Sequence, residues 1–342
     1  MKTKLLLLLL SVILFSCSQK GLNEKEVQEQ NQRSDSLSVQ LNSPELKAVN
    51  KELVEDPNNA QLYNKRAKVY LSLKQQQEAL NDAKLAVKID STIADFYLTM
   101  VDAYFMMNNT RSAKETLLAM ELKFPENEVA YLKLAELYYL VKQYQESITY
   151  INKSLRLDET QARAYHLKGN VYLEIGDTGK ATSSFQTAIE QDNAYVDAYY
   201  DLGRIYGLKK NPVALDYYAN VLKINPSHEQ TLYARAKFFQ DLGKFDDAIR
   251  EYKSAIARIT NCDQCHYNLG AIYLEVKKDY QQALDAFSKA IELNPNYLEA
   301  YFARGFTYSR LNNTPSAKAD YNMCLKLQPN YDLAIEGLND LN

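Results

Sequence analysis

The residues best suited to chemistry form one short motif, Cys-Asp-Gln-Cys-His at positions 262–266. Two cysteines separated by two residues and followed by histidine form the attachment pattern of c-type haem. The same cysteines, Cys262 and Cys265, can instead close a local disulfide or bind a metal ion. Three chemistries are therefore open at this motif, and the elements around it decide between them.

The neighbourhood of the motif favours a disulfide. His266 falls in a sequence column that tyrosine occupies elsewhere in the chain, so its ring is expected to pack between helices. A haem would have to displace that packing, and the other histidines are only His166 and His228. We predict paired cysteines at Cys262 and Cys265, with no metal and no cofactor. Haem attachment stays open as the alternative.

The rest of the chain shows no catalytic constellation. It has three histidines and lacks both the G-x-S-x-G nucleophile motif and the phosphate-binding P-loop. Adjacent acids such as Asp246 and Asp247 point in different directions on a helix, which is typical of a solvated face. We predict that the protein is not an enzyme and has no small-molecule substrate.

The elements that position these residues are copied along the chain with a period near 34 residues. Three columns of residues share this period, two made of tyrosine and one of small side chains. Such a pattern indicates one supersecondary unit repeated into a solenoid. The columns are Tyr63, Tyr97, Tyr131, Tyr165 and Tyr199; Tyr70, Tyr104, Tyr138, Tyr172 and Tyr206; and Ala79, Ala113, Ser147, Ala181, Ala214, Ala248, Ala283 and Ala317.

Each unit is predicted to be a hairpin of two helices. In one unit Tyr165, Gly169 and Tyr172 lie on one face of a first helix, because steps of three and four residues make about one turn. Ala181 and Phe185 then lie on the facing side of a second helix. The eight predicted units span residues 60–93, 94–127, 128–161, 162–195, 196–228, 229–262, 263–297 and 298–331.

This pattern closely resembles the tetratricopeptide repeat. Four units carry glycine at the family's position 8 and four carry its closing proline: Gly169, Gly203, Gly270, Gly305, Pro125, Pro226, Pro295 and Pro329. The sequence departs from the family by one missing residue around 210–212 and one added residue near 277–279. The resemblance implies an all-α fold, a right-handed superhelical solenoid of about eight units with capping helices at both ends.

The resemblance also implies a concave groove lined mainly by the first helices. At the family's position 5, which faces this groove, the last four units carry aromatic rings. A mixed aromatic and polar groove suits an extended peptide or an amphipathic helix. Packing between repeats is the alternative role for the rings. The predicted partner-binding residues are Leu98, Leu132, Tyr200, Tyr233, Tyr267, Phe302, Arg204 and Lys237.

The sequence does not match one well-defined ligand site of the family. Its clamp for the C-terminal carboxylate of chaperones needs lysine and asparagine at set positions of three consecutive units. Here His166 and Asn170 make the nearest start, and Asp201 and Gln230 follow where the clamp needs asparagine and lysine. A partner of that kind is not expected.

The N-terminus predicts a lipoprotein signal peptide over residues 1–16. Lys2 and Lys4 precede an apolar stretch, and residues 14–17, Leu-Phe-Ser-Cys, resemble the lipobox of bacterial lipoproteins. The resemblance implies cleavage before Cys17 and acylation of that cysteine, which anchors a protein to membrane lipid. Ordinary cleavage after Ser18 is the alternative. In bacterial lipoproteins, an aspartate directly after the acylated cysteine signals retention at the inner membrane. This chain has Ser18 there, so the resemblance implies the outer membrane, with the protein facing the periplasm or the exterior.

The segments that flank the repeats are predicted from composition and pattern. Residues 17–42 hold the lipidated cysteine and a polar stretch with few large apolar side chains, which predicts a disordered tether. Residues 43–59 predict an N-terminal capping helix, with Ser43 as its N-cap. Residues 332–342 predict a C-terminal capping helix.

The charge distribution and the repeat architecture together predict a scaffold. With 40 basic and 43 acidic residues spread along the chain, no basic stripe marks a nucleic-acid surface. We predict a membrane-anchored scaffold or adaptor of the bacterial cell envelope that binds protein or peptide partners in its groove. Two alternatives stay open: an exported c-type cytochrome that uses residues 262–266, and a non-catalytic accessory subunit of an envelope enzyme.

Overall fold

The computed structural model describes residues 24–341, and every regular element in that range is helical. The prediction of an all-α fold made from stacked helical hairpins is confirmed. The chain divides into two compact units between Asp158 and Glu159. In each unit, helices pack mainly against their neighbours in sequence, so the core runs through the stack of hairpins.

The first unit contains four hairpins, α1–α2 to α7–α8. Their helices are α1 Glu24–Gln40, α2 Pro44–Glu55, α3 Ala60–Ser72, α4 Gln76–Ile89, α5 Ala94–Met106, α6 Thr110–Lys123, α7 Glu128–Leu140 and α8 Tyr144–Leu157.

The second unit contains five hairpins, α9–α10 to α17–α18, and a last helix α19. Its helices are α9 Ala162–Glu174, α10 Thr178–Gln191, α11 Val196–Leu208, α12 Ala214–Ile224, α13 Glu229–Asp241, α14 Phe245–Ile256, α15 Asp263–Ile272, α16 Tyr280–Leu293, α17 Leu298–Arg310, α18 Thr314–Leu327 and α19 Asp332–Asn339.

The same backbone turn closes most hairpins. The first helix ends with one residue at positive φ, and the N–H of the next residue donates to a carbonyl five residues back, as from Gln75 to Tyr70 at 2.8 Å. This is the Schellman arrangement of a helix C-terminus. In the first five of the eight predicted units, a tyrosine of the second column supplies that carbonyl. The residues at positive φ are Asn42, Lys74, Asn108, Lys142, Gly176, Lys210, Gly243, Lys278 and Asn312.

Close approach of the two helices explains the glycine at position 8. A Cβ built on Gly169 would lie 2.4 Å from the ring of Phe185, which is fully buried on the second helix. Ala181 is also fully buried there, so small residues let the helices meet while one aromatic ring fills the space.

The residue added near 277–279 is absorbed inside a helix. Residues Tyr273–Lys277 form a π-helical turn that continues α15, and Lys278 follows at positive φ. A single extra residue commonly enters a helix in this way. Helix α15 still forms a hairpin with α16 through a short turn.

Helix α1 corrects the predicted tether. The expectation of disorder over residues 17–42 is wrong for residues 24–40, which form a helix packed on α2. Polar side chains of α1 are buried through hydrogen bonds. Asn31 Oδ1 accepts from Arg66 at 2.9 Å, and Ser34 Oγ donates to Asn50 at 2.6 Å. The composition lacked large apolar residues, but paired polar groups can be buried without them.

The capping helix predicted over residues 43–59 is α2, and Ser43 Oγ accepts from Leu46 N–H at 3.2 Å. It is the second helix of a complete hairpin with α1. The signal peptide and Cys17 lie outside the described residues. None of the helices between residues 24 and 341 is both long and apolar enough to cross a membrane.

Candidate functional site

The aromatic residues predicted to line a groove occupy equivalent places on four helices of the second unit. Tyr200, Tyr233, Tyr267 and Phe302 lie on α11, α13, α15 and α17, and each is half-buried. Half-burial fits both predicted roles, because one side of each ring packs inside the repeats and the other remains accessible. Their surroundings separate the four rings into two pairs.

Tyr267 and Phe302 are held mainly by other rings. Tyr267 lies 5.1 Å from Tyr297 between ring centroids, and Phe302 lies 5.8 Å from Tyr331 at a nearly perpendicular angle. Aromatic pairs at these distances stabilise packing. Burial also raises the pKa of Tyr267. The packing role therefore accounts for much of the surface of this pair.

Tyr200 and Tyr233 belong to a pocket of about 390 Å³ between α11, α12 and α13. The predicted groove residues Arg204 and Lys237 line the same pocket, and Tyr218 contributes from α12. The structure thus brings four of the eight predicted groove residues to one site. Aromatic walls with a few charged groups are the usual composition of a binding pocket.

A chain of polar contacts positions one of these cations. Asp201 Oδ1 accepts from Arg204 at 3.0 Å, and Asp201 Oδ2 lies 3.0 Å from Nε2 of His166. His166 and Asp201 do not match the family's carboxylate clamp. They form instead a network that orients Arg204. Lys237 pairs with Asp241, one turn further along α13.

Two predicted groove residues lie outside this pocket. Leu98 and Leu132 lie in the first unit, on α5 and α7. Leu98 packs against the core of that unit, and Leu132 is only 8% exposed. A buried side chain offers little surface to a partner, so Leu132 chiefly holds hairpins together. Leu98 is half-buried, which fits both predicted roles.

The structure pairs Cys262 and Cys265 in a disulfide, with their Cα atoms 5.2 Å apart. Cys262 is also the N-cap of α15, where its Sγ accepts from the N–H of Cys265 at 3.2 Å. In this disulfide neither sulfur can form the thioether bond that c-type haem needs. The arrangement therefore favours a structural bridge at the turn between α14 and α15.

His266 follows the disulfide and is half-buried on α15. Burial, helped by the nearby ammonium of Lys289, lowers the pKa of His266 below its ordinary value of 6.5. A neutral ring packed between helices fits the column that tyrosine occupies in other units.

Sequence reasoning missed Gly207, Leu208, Lys210 and Tyr218 at the pocket. One signal was present: Gly207 stands at position 12 of its unit, where the other seven units carry larger residues. These residues are Leu71, Phe105, Tyr139, Leu173, Gln240, Leu274 and Ser309.

A recurrent ion pair was also missed. Arginine at position 7 meets an acid 16 residues later on the second helix in three units. Arg66 pairs with Asp82, and the other two pairs are Arg235 with Glu251 and Arg304 with Asp320. The spacing is constant, so the pairs could have been found from the repeat register alone.

Comparison with known proteins agrees with this geometry. Family profiles for the tetratricopeptide repeat match residues 60–93, 126–194, 166–229 and 298–331, and one described as TPR repeat matches 277–312. Human DnaJ homolog subfamily C member 7 is 22% identical over 295 residues. That alignment covers 78% of this chain and 59% of the human protein, so the chain spans about three fifths of its relative.

Two further similarities extend over much of the chain. The bovine BBSome complex member BBS4 is 22% identical over 257 residues, covering 74% of this chain and 49% of that protein. The solved C-terminal part of a TPR repeat-containing protein from Cytophaga hutchinsonii is 19% identical, with a TM-score of 0.61. It covers 70% of this chain and 98% of that structure, and it shows a common fold. The hairpin geometry and the matched profiles show that this chain is built from tetratricopeptide repeats.

Proposed function

We propose that this protein is a lipid-anchored scaffold or adaptor of the bacterial cell envelope that binds a protein or peptide partner in its second unit. The observation that carries the proposal is the pocket between α11, α12 and α13, where Tyr200 and Tyr233 stand beside Arg204 and Lys237. Solenoids present such surfaces to extended segments of partner proteins. The role is non-catalytic.

Replacement of two rings tests the binding site. In Tyr200→Ala with Tyr233→Ala, a partner that co-purifies with the full chain is expected to be lost, because aromatic anchors dominate interfaces. Far-UV circular dichroism is expected to show unchanged helicity. A matched control is Tyr144→Ala with Tyr280→Ala, two half-buried tyrosines that begin α8 and α16. Partner binding retained by the first double variant would place the interface elsewhere.

The proposed anchor rests on the sequence at residues 14–17. Two or more acyl chains on Cys17 would hold the protein at a bilayer, since each buried methylene contributes about 0.8 kcal/mol. The variant Cys17→Ala is expected to move from the membrane fraction to the soluble fraction, and to lose incorporation of labelled palmitate. An unchanged membrane fraction would exclude this anchor without affecting the proposed partner site.

A further inference from the structure

The pocket between α11, α12 and α13 contains an unused hydrogen-bond donor. Tyr218 is 3% exposed, and its hydroxyl forms no hydrogen bond with any residue in the described range 24–341. The buried unpaired side-chain atoms of the described range are Asn64 Oδ1 and the Tyr70 hydroxyl, so the Tyr218 hydroxyl keeps some access to the pocket. A hydroxyl left unpaired at the wall of an open pocket is suited to a hydrogen-bonding group of a ligand.

Gly207 leaves the Tyr218 hydroxyl accessible from the pocket. A Cβ at this position would lie 3.1 Å from the Tyr218 hydroxyl oxygen and 3.7 Å from the ring of Phe238. The larger residues found at the same position of the other units would fill this space. The absence of a side chain therefore opens a path from the groove to Tyr218.

The pocket has an excess of positive charge. Its lining holds three cations, Arg204, Lys210 and Lys237, against one acid, Asp241. Asp201 lies beside the pocket and pairs with Arg204, so one positive charge is in excess. Lys210 forms no ion pair with a described residue, and Lys237 pairs with Asp241 at exposed positions. Arg204 is half-exposed and pairs with the largely buried Asp201 through one nitrogen of its guanidinium group. An exposed ion pair contributes little to stability, so a ligand acid can compete for Lys237. Arg204 can bind the same acid through the guanidinium N–H groups that Asp201 does not use.

We propose that this pocket binds the side-chain carboxylate of an aspartate or glutamate in an extended acidic segment of the partner protein. The carboxylate accepts a hydrogen bond from the Tyr218 hydroxyl and is neutralised by Arg204 and Lys237. Leu208, 85% exposed at the rim, receives an apolar neighbour of that acid. The proposal deepens the partner-binding function above and rests on it.

The location of the pocket supports a protein segment as the occupant. Tyr200 and Tyr233 form its walls on successive first helices, so the pocket opens along the row of position-5 rings. An extended chain that follows this row can place one side chain in the pocket. The formal net charge of the whole chain is −3, so the chain as a whole does not attract acidic peptides. Selection of acidic peptides would therefore indicate the local positive charge of the pocket.

Selection of peptides by the full chain tests the proposal. Two phage libraries of random nonapeptides are used, one displayed without a free C-terminus and one ending in a free carboxylate. We expect enrichment of aspartate or glutamate next to an apolar residue in the first library. Enrichment confined to the free C-terminus would overturn the side-chain assignment. Selected peptides without acids would overturn the acid preference and leave the proposed function intact, whereas no selected peptide from either library would contradict both.

Variants then locate the contact. With a selected acidic peptide, Arg204→Gln and Lys237→Gln are each expected to weaken binding by about tenfold, since charge-assisted hydrogen bonds are lost. Tyr218→Phe removes only the hydroxyl and is expected to weaken binding several-fold, and Gly207→Leu to abolish it. Arg250→Gln, a similar change on α14, serves as the control. Should Tyr218→Phe and Arg204→Gln bind as the wild type does, the acid lies elsewhere.

Discussion

At the scale of single residues, a fully buried charge is held by an opposite charge and by side-chain amides. Arg66 and Asp82 both have fully buried side chains, and two hydrogen bonds of 2.6 and 2.9 Å join them. Asn31 and Asn50 bind the remaining guanidinium nitrogen. Because the same network ties α1 to α3 and α4, it decides whether the polar N-terminal helix can pack.

The buried pair gives the first prediction. Asp82→Ala leaves the charge of Arg66 buried without a partner, and we expect the free energy of unfolding to fall by about 3–5 kcal/mol. Urea unfolding followed by circular dichroism measures this. Glu115→Ala breaks the exposed pair with Arg111 and is expected to cost less than about 0.5 kcal/mol. Equal losses in the two variants would contradict a central role for the buried pair.

His266 gives a prediction about pH. Its folded pKa lies below 6.5, so the unfolded chain binds a proton at higher pH than the folded chain does. This contribution to stability is present above pH 6.5 and is lost as the pH falls below it. His266→Tyr, which places the residue of the repeat column there, removes the contribution.

Urea midpoints between pH 7.5 and 5.5 measure the difference. We expect the wild type to lose more stability over this interval than His266→Tyr does. The comparison uses the change with pH in each protein, so a constant effect of the larger ring does not matter. Parallel curves for the two proteins would show that the ring is protonated equally in folded and unfolded chains.

At the scale of helices, each hairpin depends on the close approach of its two members. Gly169 lets α9 lie against Phe185 of α10, and the turn between them places Gly176 at positive φ. Other units use lysine or asparagine at that turn position, such as Lys142. The turn geometry is therefore kept even where it is unfavourable for an ordinary side chain.

Two glycines of this one hairpin make a matched comparison. Gly169→Ala is expected to destabilise the protein by about 1–3 kcal/mol, because the added Cβ overlaps the Phe185 ring. Gly179→Ala places its Cβ 3.6 Å from Asp177, with no overlap, and is expected to be neutral or to stabilise by up to about 1 kcal/mol. Thermal and urea unfolding measure both. A loss of the same size at Gly179 would refute the close-approach explanation.

At the scale of the whole molecule, the repeat register made most of the fold predictable. The column of small residues that includes Ala181 has a member in every unit, and the tyrosine columns cover the first five units. An irregular residue at one position therefore does not change the prediction of hairpins. Helix α1 was missed because it is buried through side-chain hydrogen bonds to Arg66 and Asp82, and composition does not show such partners. The repeats were found from pattern, while α1 needed three-dimensional contacts.

The candidate site was predictable only in part, for a related reason. Tyr200, Tyr233, Arg204 and Lys237 follow from the repeat register, since each occupies a groove position of its unit. The pocket depends in addition on Gly207 and on Tyr218 of the intervening helix. An opening made by a missing side chain is visible only when the neighbours of that position are known.

The central claim is that the groove of the second unit holds a partner protein, and photo-crosslinking in cells tests it most directly. A benzoylphenylalanine replaces Tyr233 in one strain and Arg250, which is exposed on α14, in another. We expect a discrete crosslinked partner from position 233 and none from position 250. No crosslink at position 233, or the same product from both positions, would contradict the claim.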